Sequence, residues 1–299
     1  MTTAALFPPE IESFRTRLDD RLDHYSQFAE SGTDCPENLR EAIRYSLLAP
    51  GKRIRPMLVL AATQICGGDP ASAIPAACAV EMIHTYSLIH DDLPAMDDDD
   101  MRRGRPSCHI KFDEATAILA GDALIPLAFE VMGRDTQPES VARDCVVALA
   151  TAAGAARLVG GQADDLAMEN GAPDIETLER IHRRKTGALL TVSLELGGRI
   201  AQTSPEKVGC LINFGKHLGL AFQIVDDLLD LRGSQAKMGK RTGKDAERGK
   251  LTYPAVLGVE QSELRARENA DAAIASLATS GDAARPLESI ARFVVERTQ

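Results

Sequence analysis

Two short stretches carry carboxylates in a pattern that suits divalent cations. In SLIHDDLPAMDDDDMRRGRPSCH, Ser87–His109, the acids Asp91, Asp92, Asp97, Asp98, Asp99 and Asp100 precede Arg102, Arg103 and Arg105. In FQIVDDLLDLRG, Phe222–Gly233, Asp226 and Asp230 stand one helical turn apart on one face. Like charges at that spacing repel, and a cation between them relieves the repulsion. Hard cations, above all Mg²⁺, bind through one or two carboxylates together with the phosphates of a substrate. Runs of like charge are usually solvated. Here an apolar helix (Ala76–Ile89) runs straight into Asp91, and Val225, Leu228 and Leu229 surround the second set. Asp91 and Asp97 would sit roughly 120° apart on a continuous helix. Pro94 is a poor interior helix residue, so the chain is expected to leave the helix near Leu93 and turn Asp97 back toward Asp91. Two acid-tipped helices facing each other across a bundle cavity would hold divalent ions, and the ions would hold a diphosphate.

Cations complete the pattern. Four basic clusters fall at helix ends or in loops: Lys52, Arg53 and Arg55 in PGKRIRP; Arg102 and Arg103; Lys185 beside Thr186 in HRRKTG; and Lys240, Lys244 and Lys250 in MGKRTGKDAERGKLTYP. Taken singly each reads as solvated surface; in a chain of formal net charge −10, four Gly-flanked clusters are notable. The last is not a phosphate loop, because its glycine spacing is one residue too long and Leu251 replaces the Ser/Thr. Neither G-x-G-x-x-G, H-E-x-x-H nor G-x-S-x-G occurs. His84 stands two helical turns before Asp91, on roughly the same side, and is a candidate phosphate contact.

The elements that must position these groups read as helices. Aromatic residues are few (4%), Trp is absent, and Ala and Leu abound. Apolar residues recur at three- and four-residue spacing, with no alternating strand and no Asn-Gly hairpin turn. The pattern predicts helices over 9–31, 36–48, 54–66, 70–92, 112–132, 138–158, 174–201, 205–231, 252–277 and 287–297. Breaks are expected at 49–52, 67–69, 95–106, 160–173 and 233–249. Asp174 and Ser204 are candidate N-caps. No composition shift divides the chain, so the expectation is one all-α domain over residues 1–299, a bundle of about ten helices around a central cavity. The acidic charge disfavours nucleic acid and anionic membranes. Charges such as Asp122 interrupt the apolar stretches, so no segment is expected to span a membrane. The six cysteines form no C-x-x-C pair, and residues 1–10 are too short and polar for a secretory signal, which points to reduced thiols in the cytoplasm.

The ordered motifs GKRIRP, IHTYSLIHDDLPAMDDDDMRRGRPSCH, AGDAL, GGQADDL, KTGALL, FQIVDDLLD and GKLTYP resemble those of the trans-isoprenyl diphosphate synthases, and more closely the bacterial farnesyl diphosphate synthases. The resemblance runs from about Lys52 to Pro254. It implies an isoprenoid-synthase-type helical fold, a homodimer, and Mg²⁺-dependent head-to-tail joining of isopentenyl diphosphate to an allylic diphosphate. By position, Asp91, Asp97 and Asp226 would ligate Mg²⁺, with Asp92, Asp227 and Asp230 grouped beside them as catalytic acids. Lys185, Lys240, Lys250 and Arg102 would hold the allylic diphosphate. Lys52, Arg55, His84 and Arg103 would hold isopentenyl diphosphate. Thr186 and Gln223 would face the carbon that becomes cationic, and Gln162 and Asp165 match lining positions. Tyr86, five residues before Asp91, and Ser87 would set product length; an aromatic at Tyr86 together with the insertion at 93–96 implies a fifteen-carbon product.

Rival readings remain. A geranyl or geranylgeranyl diphosphate synthase shares the chemistry and differs in chain length. A terpene cyclase needs no second diphosphate site, against which Lys52, Arg55 and His84 argue. A non-catalytic subunit would be marked by loss of an aspartate motif, and both are intact. A generic metal-binding helical protein would bind Mg²⁺ without isopentenyl-dependent turnover.

Overall fold

A computed structural model describes residues 7, 9–28, 34–168, 174–236 and 252–296. Fifteen α-helices occur among them. The first six are α1 (Pro9–Glu12), α2 (Arg15–Tyr25), α3 (Glu37–Leu47), α4 (Ile54–Ile65), α5 (Ile74–Asp91) and α6 (Cys108–Lys111). There follow α7 (Glu114–Asp135), α8 (Glu139–Ala153), α9 (Leu158–Ala167), α10 (Ile175–His182) and α11 (Ala188–Ile200). The last four are α12 (Pro205–Ala236), α13 (Tyr253–Leu257), α14 (Val259–Ala275) and α15 (Arg285–Glu296).

The all-α expectation holds, and the differences are local. The residues expected as one helix over 70–92 begin as a 3₁₀ turn, Pro70–Ala73, capped by the Asp69 side chain. The expected helix over 138–158 breaks at Gly154, and residues 160–167 of the expected break at 160–173 are helical, as part of α9. The expected helix over 174–201 is interrupted by a wider π-helical turn, Arg183–Gly187. The helix expected over 205–231, α12, runs on through Gly233 to Ala236, into the break expected there. Asp174 does cap α10, accepting from the amides of Glu176 and Thr177 at 3.1 and 3.0 Å.

A strand pair the sequence reading excluded joins α5 to α6. Met101–Arg102 (β1) pairs antiparallel with Arg105–Pro106 (β2). The turn between them is Arg103–Gly104, with φ of +52° and +77°. Positive φ at both central residues matches the twist of a tight hairpin, so Arg-Gly serves here where Asn-Gly was sought.

Helices α4, α5 and α11 form the centre. Residues Pro56–Thr63 of α4 are all buried, as is most of α5 and α11. Helix α7 covers α5 on one side, while α8 and α12 flank α11, and α14 covers α12. Helices packed on several sides carry apolar residues around most of their circumference. Three segments accordingly reach the length and apolarity of a membrane span: Glu114–Asp135, Glu139–Ala167 and Pro205–Arg232. This corrects the expectation that none would qualify; one charge such as Asp122 is too few to disqualify a segment. Half, a third and half of their apolar windows are buried, and the second segment is divided at Gly154 into α8 and α9.

Candidate active site

The acidic motif of α5 folds back as Pro94 requires. The helix ends at Asp91. The Asp97 amide then donates to the Asp91 carbonyl oxygen at 2.7 Å, Asp98 donates to Leu93 at 3.0 Å, and Asp99 donates to Asp92 at 3.1 Å. The loop is a tight backbone nest that sets Asp97 beside Asp91. Burial pushes the Asp91 carboxyl up from its ordinary range, against the pull of Lys185 and of Gln162, whose Nε2 donates to Oδ1 at 2.8 Å.

Its neighbour Asp92 points elsewhere. Only 2% exposed, it accepts from Arg102 Nε at 3.0 Å, and Arg102 also reaches Asp99 at 3.3 Å. Burial raises the Asp92 carboxyl and Arg102 opposes that. Asp92 therefore anchors the hairpin that carries Arg102 and Arg103.

Lys185 faces this acidic wall from the π-turn. Its Nζ donates to Asp165 Oδ2 at 2.7 Å and lies 4.0 Å from Asp97 Oδ2. Burial alone would lower its pKa, but Asp91, Asp165 and Asp97 together hold it raised. Close packing of α9 makes this possible: a Cβ on Gly161 would lie 2.7 Å from the Lys185 Cα. The next residue, Thr186, donates its hydroxyl to Gln223 Oε1 on α12 at 2.8 Å. Gln223 Nε2 in turn donates to Asp227 Oδ1 at 3.1 Å.

The second acidic motif divides its labour. Asp226 and Asp230 are exposed on α12, whereas Asp227 is buried. Asp227 Oδ2 accepts the backbone amide of Tyr253 at 3.0 Å, so it pins the start of α13. Asp226 acts on Arg55 electrostatically, offsetting part of the burial that draws that guanidinium down to about 10. Arg55 itself lines a hollow of about 120 Å³ with His84, Ser87, Asp91, Gln162, Lys185 and Thr186. Arg55 Nη1 lies 3.3 Å from His84 Nε2. An arginine can only donate, so that contact assigns the ring proton to Nδ1. Burial and the surrounding arginines push His84 well below its ordinary pKa, so it is a neutral imidazole at pH 7.

Thus Asp91, Arg55, His84, Ser87, Lys185 and Thr186 meet at one hollow, with Asp97 and Gln223 bonded or paired to its lining. Lys52 is exposed at the loop before α4. Tyr86 is buried beneath Asp91, edge-on to His90 at 5.8 Å between ring centroids. Lys240, Lys244 and Lys250 lie outside the described residues. Glu81, a carboxylate 1% exposed in α5, is a further buried charge, not among those the sequence motifs point to. Its signal was available: a single acid in the apolar run IPAACAVEMIHTY must find a buried cation.

Among the described residues no three His, Cys, Asp or Glu side chains converge tightly enough to hold a metal alone. Mg²⁺ takes few protein carboxylates and completes its shell with water and phosphate oxygens. The donor set of Asp91, Asp97 and Asp226 is all hard oxygen, and so fits that ion.

Fold and site define a class. The polyprenyl synthetase family profile matches residues 36–287, and the chain belongs to that family. Among individual relatives, the farnesyl diphosphate synthase of Escherichia coli (strain K12) is 46% identical over 266 residues, covering 87% of this chain and 89% of its own. Geranylgeranyl pyrophosphate synthase 11, chloroplastic, of Arabidopsis thaliana is 47% identical over 270 residues, covering 88% and 75%. The crystal structure of an FPP/GFPP synthase from Zymomonas mobilis superposes with a TM-score of 0.82 at 38% identity, covering 96% of this chain and 99% of that one.

Proposed function

We propose that this chain is a prenyltransferase that joins isopentenyl diphosphate head to tail to dimethylallyl and geranyl diphosphate, releasing diphosphate and making farnesyl diphosphate. The observation that carries this reading is the shared hollow, where Asp91 and Lys185 meet the Arg55–His84 pair. Two diphosphate-binding groups on one cavity suit a two-substrate condensation and exceed what a cyclase needs. Relatives named for farnesyl and for geranylgeranyl products are equally similar, so a twenty-carbon product is the second reading.

In this mechanism Lys185 and Arg102, with Lys240 and Lys250, bind the allylic diphosphate. Asp91, Asp97 and Asp226 would hold Mg²⁺, whose chemistry would be positive charge against the leaving diphosphate. Lys185 is pre-oriented by Asp165 and Asp97, so little reorganisation is needed as negative charge grows on the leaving oxygens. The Thr186 hydroxyl, held by Gln223, offers oxygen lone pairs to the allylic carbon as it becomes cationic. Arg55 and Arg103, with Lys52 and neutral His84, orient isopentenyl diphosphate so that its double bond meets that carbon. Released diphosphate is the base that takes the proton. Leu158 and Leu189 line the same hollow and exclude water from the cation.

The reading extends to a single domain acting in the cytoplasm as a homodimer, with no nucleic-acid partner and no membrane span. Exposed Ile118 and Leu119 on α7 and Val147 on α8 support self-association. Incubation with dimethylallyl and isopentenyl diphosphates and Mg²⁺, followed by product sizing, tests the activity. A fifteen-carbon product is expected; a twenty-carbon product selects the second reading, and no isopentenyl-dependent product rejects both.

A further inference from the structure

Two arginines adopt backbone conformations that side-chain-bearing residues rarely take. Arg53, at the start of α4, has φ of +50°, and Arg103, in the hairpin turn, has φ of +52°. Such geometry persists only where the surroundings over-determine it. Both residues turn their guanidinium groups onto one carboxylate oxygen. Arg53 Nη1 donates to Glu81 Oε1 at 2.7 Å, and Arg103 Nη2 lies 4.0 Å from the same atom. Glu81 stands on α5 ten residues before Asp91, beneath the arginine cluster.

The surrounding contacts tie both loops to this point. Arg53 is itself buried, and its Nε donates to Asp19 at 3.1 Å. Its carbonyl oxygen accepts the Met57 amide at 3.0 Å, so its orientation sets the first turn of α4, where Arg55 sits. Arg103 Nη1 reaches the Ala49 carbonyl oxygen at 3.4 Å. A Cβ on Gly51 would lie 2.8 Å from that same nitrogen, so the guanidinium lies flat across the 49–51 backbone. Arg53, Arg55 and Arg103 would otherwise repel one another, and Glu81 is the buried counter-charge among them.

We propose that Glu81 is a positioning residue for the second diphosphate: its carboxylate locks the loop before α4 and the hairpin turn together, and so sets Lys52, Arg55 and Arg103 as one cradle. The role rests on the function proposed above. It predicts an effect confined to one substrate. Lys185 and Asp91 do not touch Glu81, so the allylic half of the site is left in place.

Steady-state condensation by the full chain, with each substrate varied in turn, tests this on Glu81→Gln and Glu81→Asp. Glu81→Gln is expected to raise KM for isopentenyl diphosphate about tenfold or more, with kcat and the allylic KM within about threefold of wild type. Glu81→Asp keeps the charge, shortens its reach, and is expected to fall between. A wild type without turnover overturns the function and this role together. An active wild type whose Glu81→Gln variant keeps its isopentenyl KM, or raises both KM values alike, overturns this role alone. Circular dichroism and thermal melting check folding. If Glu81→Gln does not fold, Glu81→Asp is read by the same split, and wild-type values there overturn the role. Failure of both variants to fold also overturns it, because the carboxylate then serves stability only.

Discussion

The backbone of Asp97 is bonded to the backbone of Asp91, amide to carbonyl oxygen, at 2.7 Å. Two carboxylates six residues apart are thereby neighbours, and the contact involves neither side chain. Asp97→Asn should keep the loop and lose only a charged oxygen ligand. The expected result is a kcat lower by about 100-fold, with a higher Mg²⁺ concentration needed for half-maximal rate and an unchanged melting temperature. Mg²⁺ titration of the initial rate checks it.

Lys185 is the only cation bonded to Asp165 and near Asp97 among the described side chains. Replacing it with Met leaves Asp91, Asp97 and Asp165 facing one another. Without divalent ions, stability is expected to fall by about 3 kcal/mol. Added Mg²⁺ should restore the melting temperature more in Lys185→Met than in wild type, while turnover stays lost. Thermal melting with and without Mg²⁺ measures the difference; equal Mg²⁺ shifts in the two proteins would contradict it.

Tyr86 is 5% exposed and close enough to Asp91 for that charge, with burial, to push its hydroxyl pKa up to about 12. Tyr86→Ala opens space below Asp91, where the proposed allylic chain would grow. The product should lengthen by one or more five-carbon units, at a stability loss of about 3 kcal/mol. Reversed-phase chromatography of the dephosphorylated products reads the length, and an unchanged distribution counts against Tyr86 as the stop.

His182 is buried against Tyr253, and its Nδ1 has no hydrogen-bond partner. Burial pulls its pKa down from 6.5 to about 4, with Lys185 adding to and Asp165 opposing the shift. Between those values the unfolded chain binds a proton that the folded chain refuses. The stability it permits is therefore full above pH 6.5 and is lost as pH falls toward 4. From pH 7 to pH 5 the loss is about 2 kcal/mol. His182→Phe should flatten that part of the pH profile; urea unfolding midpoints at the two pH values check it.

The sequence was readable where local chemistry alone decides structure. Pro94 ends α5 and forces the fold-back of Asp97, and Asp174 caps α10 by its own side chain. It was unreadable where distant partners decide. The Gly160–Gly161 pair looks like a break, yet Gly161 is helical because only a bare Cα lets α9 approach Lys185. Asp226 and Asp227 are alike in sequence, yet the second is turned inward, where Gln223 Nε2 and the amide of Tyr253, twenty-six residues on, both donate to it. The π-turn at 183–187 has no residue signature, and the hairpin at 101–106 is too short to show alternation.

The hydroxyl of Thr186, the amide group of Gln223, the carboxylate of Asp227 and the main-chain N–H of Tyr253 form an unbroken string. Its first member borders the hollow shared by Asp91 and Lys185, and its last is the first residue of α13. Three successive hydrogen bonds through two side chains of α12 thus tie the lining of the hollow to the first turn of α13.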